Sequence, residues 1–66
     1  MTISKSTGAR IRKIRKALGI TQEEAAYRAS LDYSYYNQIE MGKRNPSLDA
    51  LNRIAKAIKT NVKDLF

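Results

Sequence analysis

The sequence has neither cysteine nor histidine among its 66 residues. A domain of this size buries only about 60% of the surface that its unfolded chain exposes, so many small domains need disulfides or a metal ion. Without those groups, helix packing, helix capping and association between copies must stabilise the fold. The chain also lacks the histidine and cysteine side chains of many catalytic and metal sites, so we expect no enzyme activity, no cofactor and no metal site. We also expect no small-molecule ligand.

Long apolar runs are also missing. No stretch approaches the roughly 20 apolar residues that a membrane-spanning helix needs. The N-terminal stretch MTISKSTGAR lacks the apolar segment of a secretory signal. We expect a soluble, cytoplasmic protein with no membrane partner, and the absence of cysteine fits a reducing compartment.

Acidic residues are few. Six Asp and Glu face 13 Lys and Arg, which gives a formal net charge of +7. Such a dense excess predicts an anionic partner, either a nucleic acid or an acidic membrane. The alternative is a basic surface that only keeps the protein in solution.

Helical periodicity and capping residues divide the chain into five short amphipathic helices, which predicts a compact all-α domain. We assign residues 1–6 to a flexible tail and residues 7–66 to a single domain. The first helix spans about Thr7 to Leu18. Each later helix follows a polar N-cap residue: Thr21, Asp32, Ser47 and Asn61.

The expected buried faces follow from the same spacing. Thr21 and Glu24 have the spacing of a capping box, in which each side chain bonds the other residue's backbone amide. Small residues on the second helix would let a neighbouring helix approach closely. The core positions are Ile11, Ile14 and Leu18; Ala25, Ala26 and Ala29; and Leu48, Leu51, Ile54, Ala55 and Ile58.

The stretch LDYSYYNQIE, which forms the third helix, has two different faces. Tyr36 falls on the apolar side and pairs with Leu31 as a hydrophobic staple, so we assign it to the core. The opposite arc carries hydroxyl and amide side chains that can match base edges, and Tyr35 lies between the two faces. The alternative is an ordinary solvated helix face. The polar arc comprises Tyr33, Ser34, Asn37, Gln38 and Met41.

Two longer stretches resemble a known family. TQEEAAYRASLDYSYYNQIEMGKRNPSLDALNRIAKAI resembles the helix-turn-helix of the XRE family, the Cro and phage-repressor type. IRKIRKALGITQ is similar to that family's first helix and the start of its second. IEMGKRNPS is similar to its "IExGxRxPS" ending. The resemblance covers about Arg10 to Phe66 and implies a lambda-repressor-like fold.

The resemblance implies a sequence-specific regulator of transcription that binds double-stranded DNA. Its third helix would enter the major groove and meet base edges, while neighbouring residues hold phosphates. The base-reading residues would be Tyr33, Ser34, Asn37 and Gln38. The phosphate-binding residues would be Gln22, Tyr35, Lys43, Arg44 and Asn45.

The family pattern also implies an ion pair between Arg15 and Glu40, although two unrelated surface charges are the alternative. The chain departs from the pattern at Ser30, where glycine is usual, and at Tyr36, where isoleucine or valine is usual. LDYSYY most resembles the small controller proteins of restriction–modification systems, which begin this helix with "LDRxY". Tyr33 replaces their arginine, so the operator sequence cannot be carried over.

A homodimer would read two half-sites about 10 bp apart, or a multiple of that distance. No separate oligomerisation segment is visible, so we expect the last residues to supply the contact, with closure of the monomer core as the alternative. These residues are Ile58, Val62, Leu65 and Phe66.

RNA polymerase is a further expected partner, through Glu23 and Glu24, although the helix dipole alone favours glutamates there. Such a regulator would act on the nucleoid of a bacterial or phage-host cell.

Other functions remain open at this point. The chain could be an antitoxin or a phage-type repressor instead of a restriction–modification controller. An RNA-binding or membrane-active basic protein is a further alternative. Several short apolar stripes separated by caps favour a folded core over one long lipid-binding face.

Overall fold

The computed structural model describes residues 5–66 as four α-helices followed by one turn of 3-10 helix. The elements are α1 (Lys5–Ala17), α2 (Gln22–Arg28), α3 (Tyr33–Glu40), α4 (Leu48–Ala57) and the 3-10 helix Val62–Leu65. The all-α prediction is confirmed, with a 3-10 turn in place of the fifth α-helix. Helix α1 begins two residues before Thr7, so Lys5 and Ser6 are helical and do not belong to a tail. The rest of the predicted tail lies outside the described residues.

Each element packs mainly against two others. Helix α3 contacts α1 and α2, α2 also contacts α4, and the 3-10 helix packs against α1 and α4. The largest fully buried side chains are Tyr36, Ile11, Ile39, Ile54, Ile58 and Leu65, so Tyr36 belongs to the core as predicted. None of the described helices is both long and apolar enough to cross a membrane.

Two predicted core residues are on the surface instead. Leu18 is 42% exposed and Leu48 is 67% exposed. Both lie at a helix end, where the apolar stripe continues past the neighbouring helices. Periodicity identifies the face of a helix but not the length over which another helix covers it.

Three of the four predicted N-caps make their side-chain bond. Thr21 accepts from the Glu24 amide at 3.0 Å, Asp32 from the Ser34 and Tyr35 amides at 3.0 and 3.3 Å, and Ser47 from the Ala50 amide at 3.0 Å. Asn61 makes no side-chain cap bond, because its carbonyl already accepts the Asp64 amide in the 3-10 turn. The capping box also predicted a bond from the Thr21 amide to the Glu24 carboxylate. This prediction is wrong, since the Glu24 carboxylate accepts instead from Arg28 Nε at 2.7 Å.

Each α-helix is followed by a residue with positive φ, and the amide after that residue donates to the carbonyl five positions before it. Glycine fills this position after α1 and α3, but Ser30 and Lys59 fill it after α2 and α4, each with φ of 57°. Ser30 therefore occupies the turn between α2 and α3 in a left-handed conformation. The amide of Leu31, the next residue, donates to the Ala26 carbonyl at 2.9 Å.

Gly8 brings α1 directly onto the backbone of α3. A methyl group at Gly8 would lie 2.5 Å from the Ile39 carbonyl oxygen and 2.6 Å from the Glu40 carbonyl oxygen. Only glycine permits this approach. Helical periodicity does not indicate this contact, which places α1 beside the C-terminal half of α3.

Candidate nucleic-acid interface

Helix α3 presents the predicted reading face to solvent. The Asp32 cap fixes its first turn, and Tyr36 and Ile39 hold its opposite side in the core. Tyr33 is 44% exposed, Ser34 is exposed, and Asn37 and Gln38 are half-buried. Met41, 48% exposed, extends the face beyond the helix end. The face is polar without carrying a formal charge, which suits hydrogen bonding to base edges.

Beneath this face, Arg15 and Glu40 form a buried ion pair between α1 and α3. Arg15 Nε donates to Glu40 Oε2 at 2.7 Å, and Nη2 donates to Oε1 at 3.2 Å. A third bond runs from Arg15 Nη1 to the Ile20 carbonyl at 2.8 Å. The hydrogen bond to Glu40 is the main cause that raises the pKa of Arg15 above its ordinary value. The predicted pair is therefore present, and it joins α1, α3 and the turn before α2.

Two neutral side chains complete the surroundings of Glu40. The Tyr36 hydroxyl and Gln22 Nε2 also donate to its carboxylate, the latter at 2.9 Å. Burial by itself would raise the pKa of Glu40, but the hydrogen bonds from Arg15, Tyr36 and Gln22 outweigh it and hold this pKa below its ordinary value. Burial, and then the bond to Glu40, raises the pKa of Tyr36, so its hydroxyl remains a donor.

Gln22 connects this buried network to the reading face. Its Oε1 accepts from the Tyr33 hydroxyl at 3.1 Å and from Asn37 Nδ2 at 3.0 Å. One amide thus holds two predicted base-reading side chains and, through Nε2, the buried carboxylate of Glu40. The resemblance implied only a phosphate contact for Gln22. Its partners lie 11, 15 and 18 positions away, so no helical spacing could identify them.

The loop after α3 supplies predicted phosphate ligands beside the same face. The basic Lys43 and Arg44 and the neutral Asn45 are all exposed. The Arg44 guanidinium lies 5.2 Å from the centre of the Tyr35 ring, and its Nη1 donates to Gln38 Oε1 at 3.3 Å. Such a cation–π contact at an exposed site contributes about 0.5–1 kcal/mol. Arg44 is therefore held against α3, next to one predicted phosphate ligand and one predicted base reader.

The predicted dimer residues separate into two groups. Ile58 and Leu65 are 1% and 0% exposed, so they belong to the core of the protomer and present no surface to a partner. They are buried because the 3-10 helix folds back onto α1 and α4. Val62 is half-buried and Phe66 is 49% exposed, so these two remain available.

The acidic residues expected to meet RNA polymerase are Glu23 and Glu24. Glu24 is already paired with Arg28, and Glu23 is exposed. Within residues 5–66, no group of three or more acidic, histidine or cysteine side chains could hold a metal ion.

A family model described as helix-turn-helix matches residues 11–65, which include α2, α3 and the turn between them. The control protein C.BamHI of Bacillus amyloliquefaciens is 39% identical in an alignment of 60 residues that covers 89% of this chain and 74% of that protein. The control protein C.MunI of Mycoplasma sp is 38% identical in an alignment of 60 residues that covers 89% of this chain and 81% of that protein.

Among solved structures, the chain is similar to the restriction–modification controller protein C.AhdI from Aeromonas hydrophila. The two share 38% identity and a TM-score of 0.90, over 92% of each chain. The similarity therefore extends over the reading helix, the basic loop and the elements that support them.

Proposed function

The chain belongs to the helix-turn-helix family and is a DNA-binding regulator of transcription; from this premise we propose that it controls a restriction–modification system, including its own gene. The similarity to C.AhdI, a restriction–modification controller protein, supports this choice of system. The observation that carries the proposal is the polar face of α3, held in place by Gln22 above a buried ion pair.

In this proposal α3 lies in the major groove. Tyr33, Ser34, Asn37 and Gln38 meet base edges, and the first turn of the helix points into the groove. The Tyr33 and Asn37 side chains are already oriented by Gln22, so less rotational freedom is lost on binding. The groups that Gln22 does not use, such as the Asn37 side-chain oxygen, are free to bond a base.

Phosphate contacts on either side of the groove would fix the register. Lys43, Arg44 and Asn45 follow α3, and Tyr35 lies beside Arg44. Gln22 lies at the N-terminal end of α2 and has a second Nε2 hydrogen to donate to a phosphate. These contacts supply affinity, and the bases supply the discrimination.

One protomer offers a small footprint, so we propose that two copies bind together on two half-sites. The exposed Phe66 and the half-buried Val62 are the residues that support this. The half-sites would lie about 10 bp apart, or a multiple of that distance.

A binding titration tests the central claim. The protein is titrated with the DNA immediately upstream of its own gene and with the same bases scrambled, at two salt concentrations. We expect a preference for the upstream DNA that persists at the higher salt. Equal binding to both DNAs that disappears with salt would show either that the operator lies elsewhere or that the +7 charge supplies only nonspecific attraction.

A matched pair of variants tests the reading face. Ser34→Ala removes a hydroxyl from α3, and Asn52→Ala makes a comparable change at an exposed position of α4. If Ser34 bonds a base, loss of this single hydrogen bond should reduce the preference for upstream DNA by about 2- to 13-fold, equivalent to about 0.5–1.5 kcal/mol. Asn52→Ala should leave the preference unchanged. Similar losses in both variants would contradict the assignment of the face.

Phe66→Ala tests the dimer. Removing residues 65–66 would not, because the buried Leu65 would be lost with Phe66 and the protomer itself would be destabilised. Sedimentation equilibrium should show a weaker dimer for Phe66→Ala, with unchanged helical content. An unchanged monomer–dimer balance would exclude Phe66 from the contact.

A further inference from the structure

Helix α1 has two groups of exposed basic residues, and they lie on different sides of the helix. At 100° per residue, Lys5, Arg12 and Lys16 fall within about 40° of one another. Arg10 and Lys13 are exposed on the far side. We propose that Lys5, Arg12 and Lys16, called here the α1 stripe, bind phosphates of the same DNA duplex that α3 reads. This proposal rests on the proposed function.

Contacts with α3 show which side of α1 faces the DNA-binding elements. Gly8 packs on the backbone of Ile39 and Glu40, and Arg15 bonds the Glu40 carboxylate. On the same helical wheel, the α1 stripe lies about 40–100° from Gly8 and Arg15, and the far-side residues lie about 140–160° away. The stripe therefore borders α3, and the far-side residues do not.

Lys5 joins the stripe to the basic loop. A methyl group on Gly42 would lie 2.6 Å from Lys5 Cγ and 2.9 Å from Lys5 Cα, so the backbone at the end of α3 touches this lysine. Lys43 and Arg44 come directly after Gly42 and are exposed. The proposed phosphate ligands of the loop and the first residue of the stripe therefore form one continuous basic surface.

Among the residues that the structure describes, the exposed arginines of α2 and α4 are paired with carboxylates, but the cations of the α1 stripe are not. On α2 and α4, Arg28 pairs with Glu24 at 2.7 Å and Arg53 pairs with Asp49 at 3.0 Å. Helix α1 contains no acidic residue. In the described part of the chain, no carboxylate pairs with the three cations of the stripe. Their positive charge is left for an external anion, and the regularly spaced phosphates beside α3 are the anion that the proposed function places there.

Two double variants on the same helix test the proposal. Arg12→Gln/Lys16→Gln removes two charges from the stripe, and Arg10→Gln/Lys13→Gln removes one arginine and one lysine from the far side. Both lower the net charge equally, and all four side chains are exposed. Each variant is titrated with the upstream DNA over a range of salt concentrations, and the logarithm of the affinity is plotted against the logarithm of the salt concentration.

We expect the slope for the stripe variant to become shallower by about 1.8, since each phosphate contact contributes about 0.9. The far-side variant should keep the slope of the wild type. Equal slopes in the two variants, with a wild type that still prefers upstream DNA, would overturn the α1 stripe and leave the proposed function intact. A wild type that binds neither upstream nor scrambled DNA at low salt would overturn both.

Discussion

Replacing Glu40 by glutamine tests whether burial determines how much the Arg15–Glu40 pair contributes to the stability of the fold. The substitution keeps the size of the side chain but removes the charge that accepts four hydrogen bonds, two from Arg15 and one each from Tyr36 and Gln22. The two side chains are only 8% and 1% exposed, so the arginine would remain buried without a counterion. Breaking one side of a buried pair costs about 3–5 kcal/mol.

The chain provides a closely matched control. The Glu24–Arg28 pair has the same 2.7 Å distance between Nε and Oε2, but its side chains are 40% and 45% exposed. An exposed pair of this spacing contributes about 0.3–0.5 kcal/mol. Glu24→Gln should therefore change the stability very little, although the Nε–Oε2 distance of the broken pair is the same.

Thermal and urea unfolding, followed by circular dichroism, measure both effects. At about 0.05–0.15 kcal/mol per residue, a chain of this length has about 3–10 kcal/mol of total stability. Glu40→Gln should thus lower Tm by about 12 °C or more, or leave the chain partly unfolded at room temperature. Equal losses in Glu40→Gln and Glu24→Gln would refute the reasoning, because burial would then make no difference.

Three further predictions concern stability. Gly8→Ala should destabilise the fold by about 1–3 kcal/mol, because the methyl would meet the Ile39 carbonyl. Helix propensity alone predicts a gain in stability, so a higher unfolding midpoint would contradict the close approach. Lys59→Gly should stabilise the fold by about 1 kcal/mol by relieving a side chain at positive φ, and urea unfolding measures the gain. The folded-state pKa of Glu40 is lowered, so its contribution is present above the ordinary carboxyl value and is lost as pH falls through the folded value. Unfolding measured from pH 7 to pH 2 should show this loss in the wild type and a smaller one in Glu40→Gln.

Much of the secondary structure follows from the sequence alone. The caps at Thr21, Asp32 and Ser47 act over three or four residues, so local chemistry is enough to place the starts of α2, α3 and α4. The division of α3 into a buried Tyr36 and a polar arc depends only on 3.6 residues per turn. The resemblance to the family predicted the Arg15–Glu40 pair. Helical periodicity could not predict it, since the two residues are 25 positions apart.

Tertiary structure decided the features that depend on how helices cross. The bonds of Gln22 to Tyr33, Asn37 and Glu40 exist because α2 and α3 meet at one angle, and a single amide then reaches all three. The approach at Gly8 likewise needs α1 to lie on the backbone of α3.

Burial at the helix ends was decided in the same way. Leu18 and Leu48 have core spacing but lie beyond the neighbouring helices, whereas Ile58 and Leu65 are enclosed because the 3-10 turn folds back on the domain. Local propensities and caps act within one helix, so the sequence determines which face of that helix is apolar. The positions of the other helices determine which part of that face is covered and which polar side chains meet.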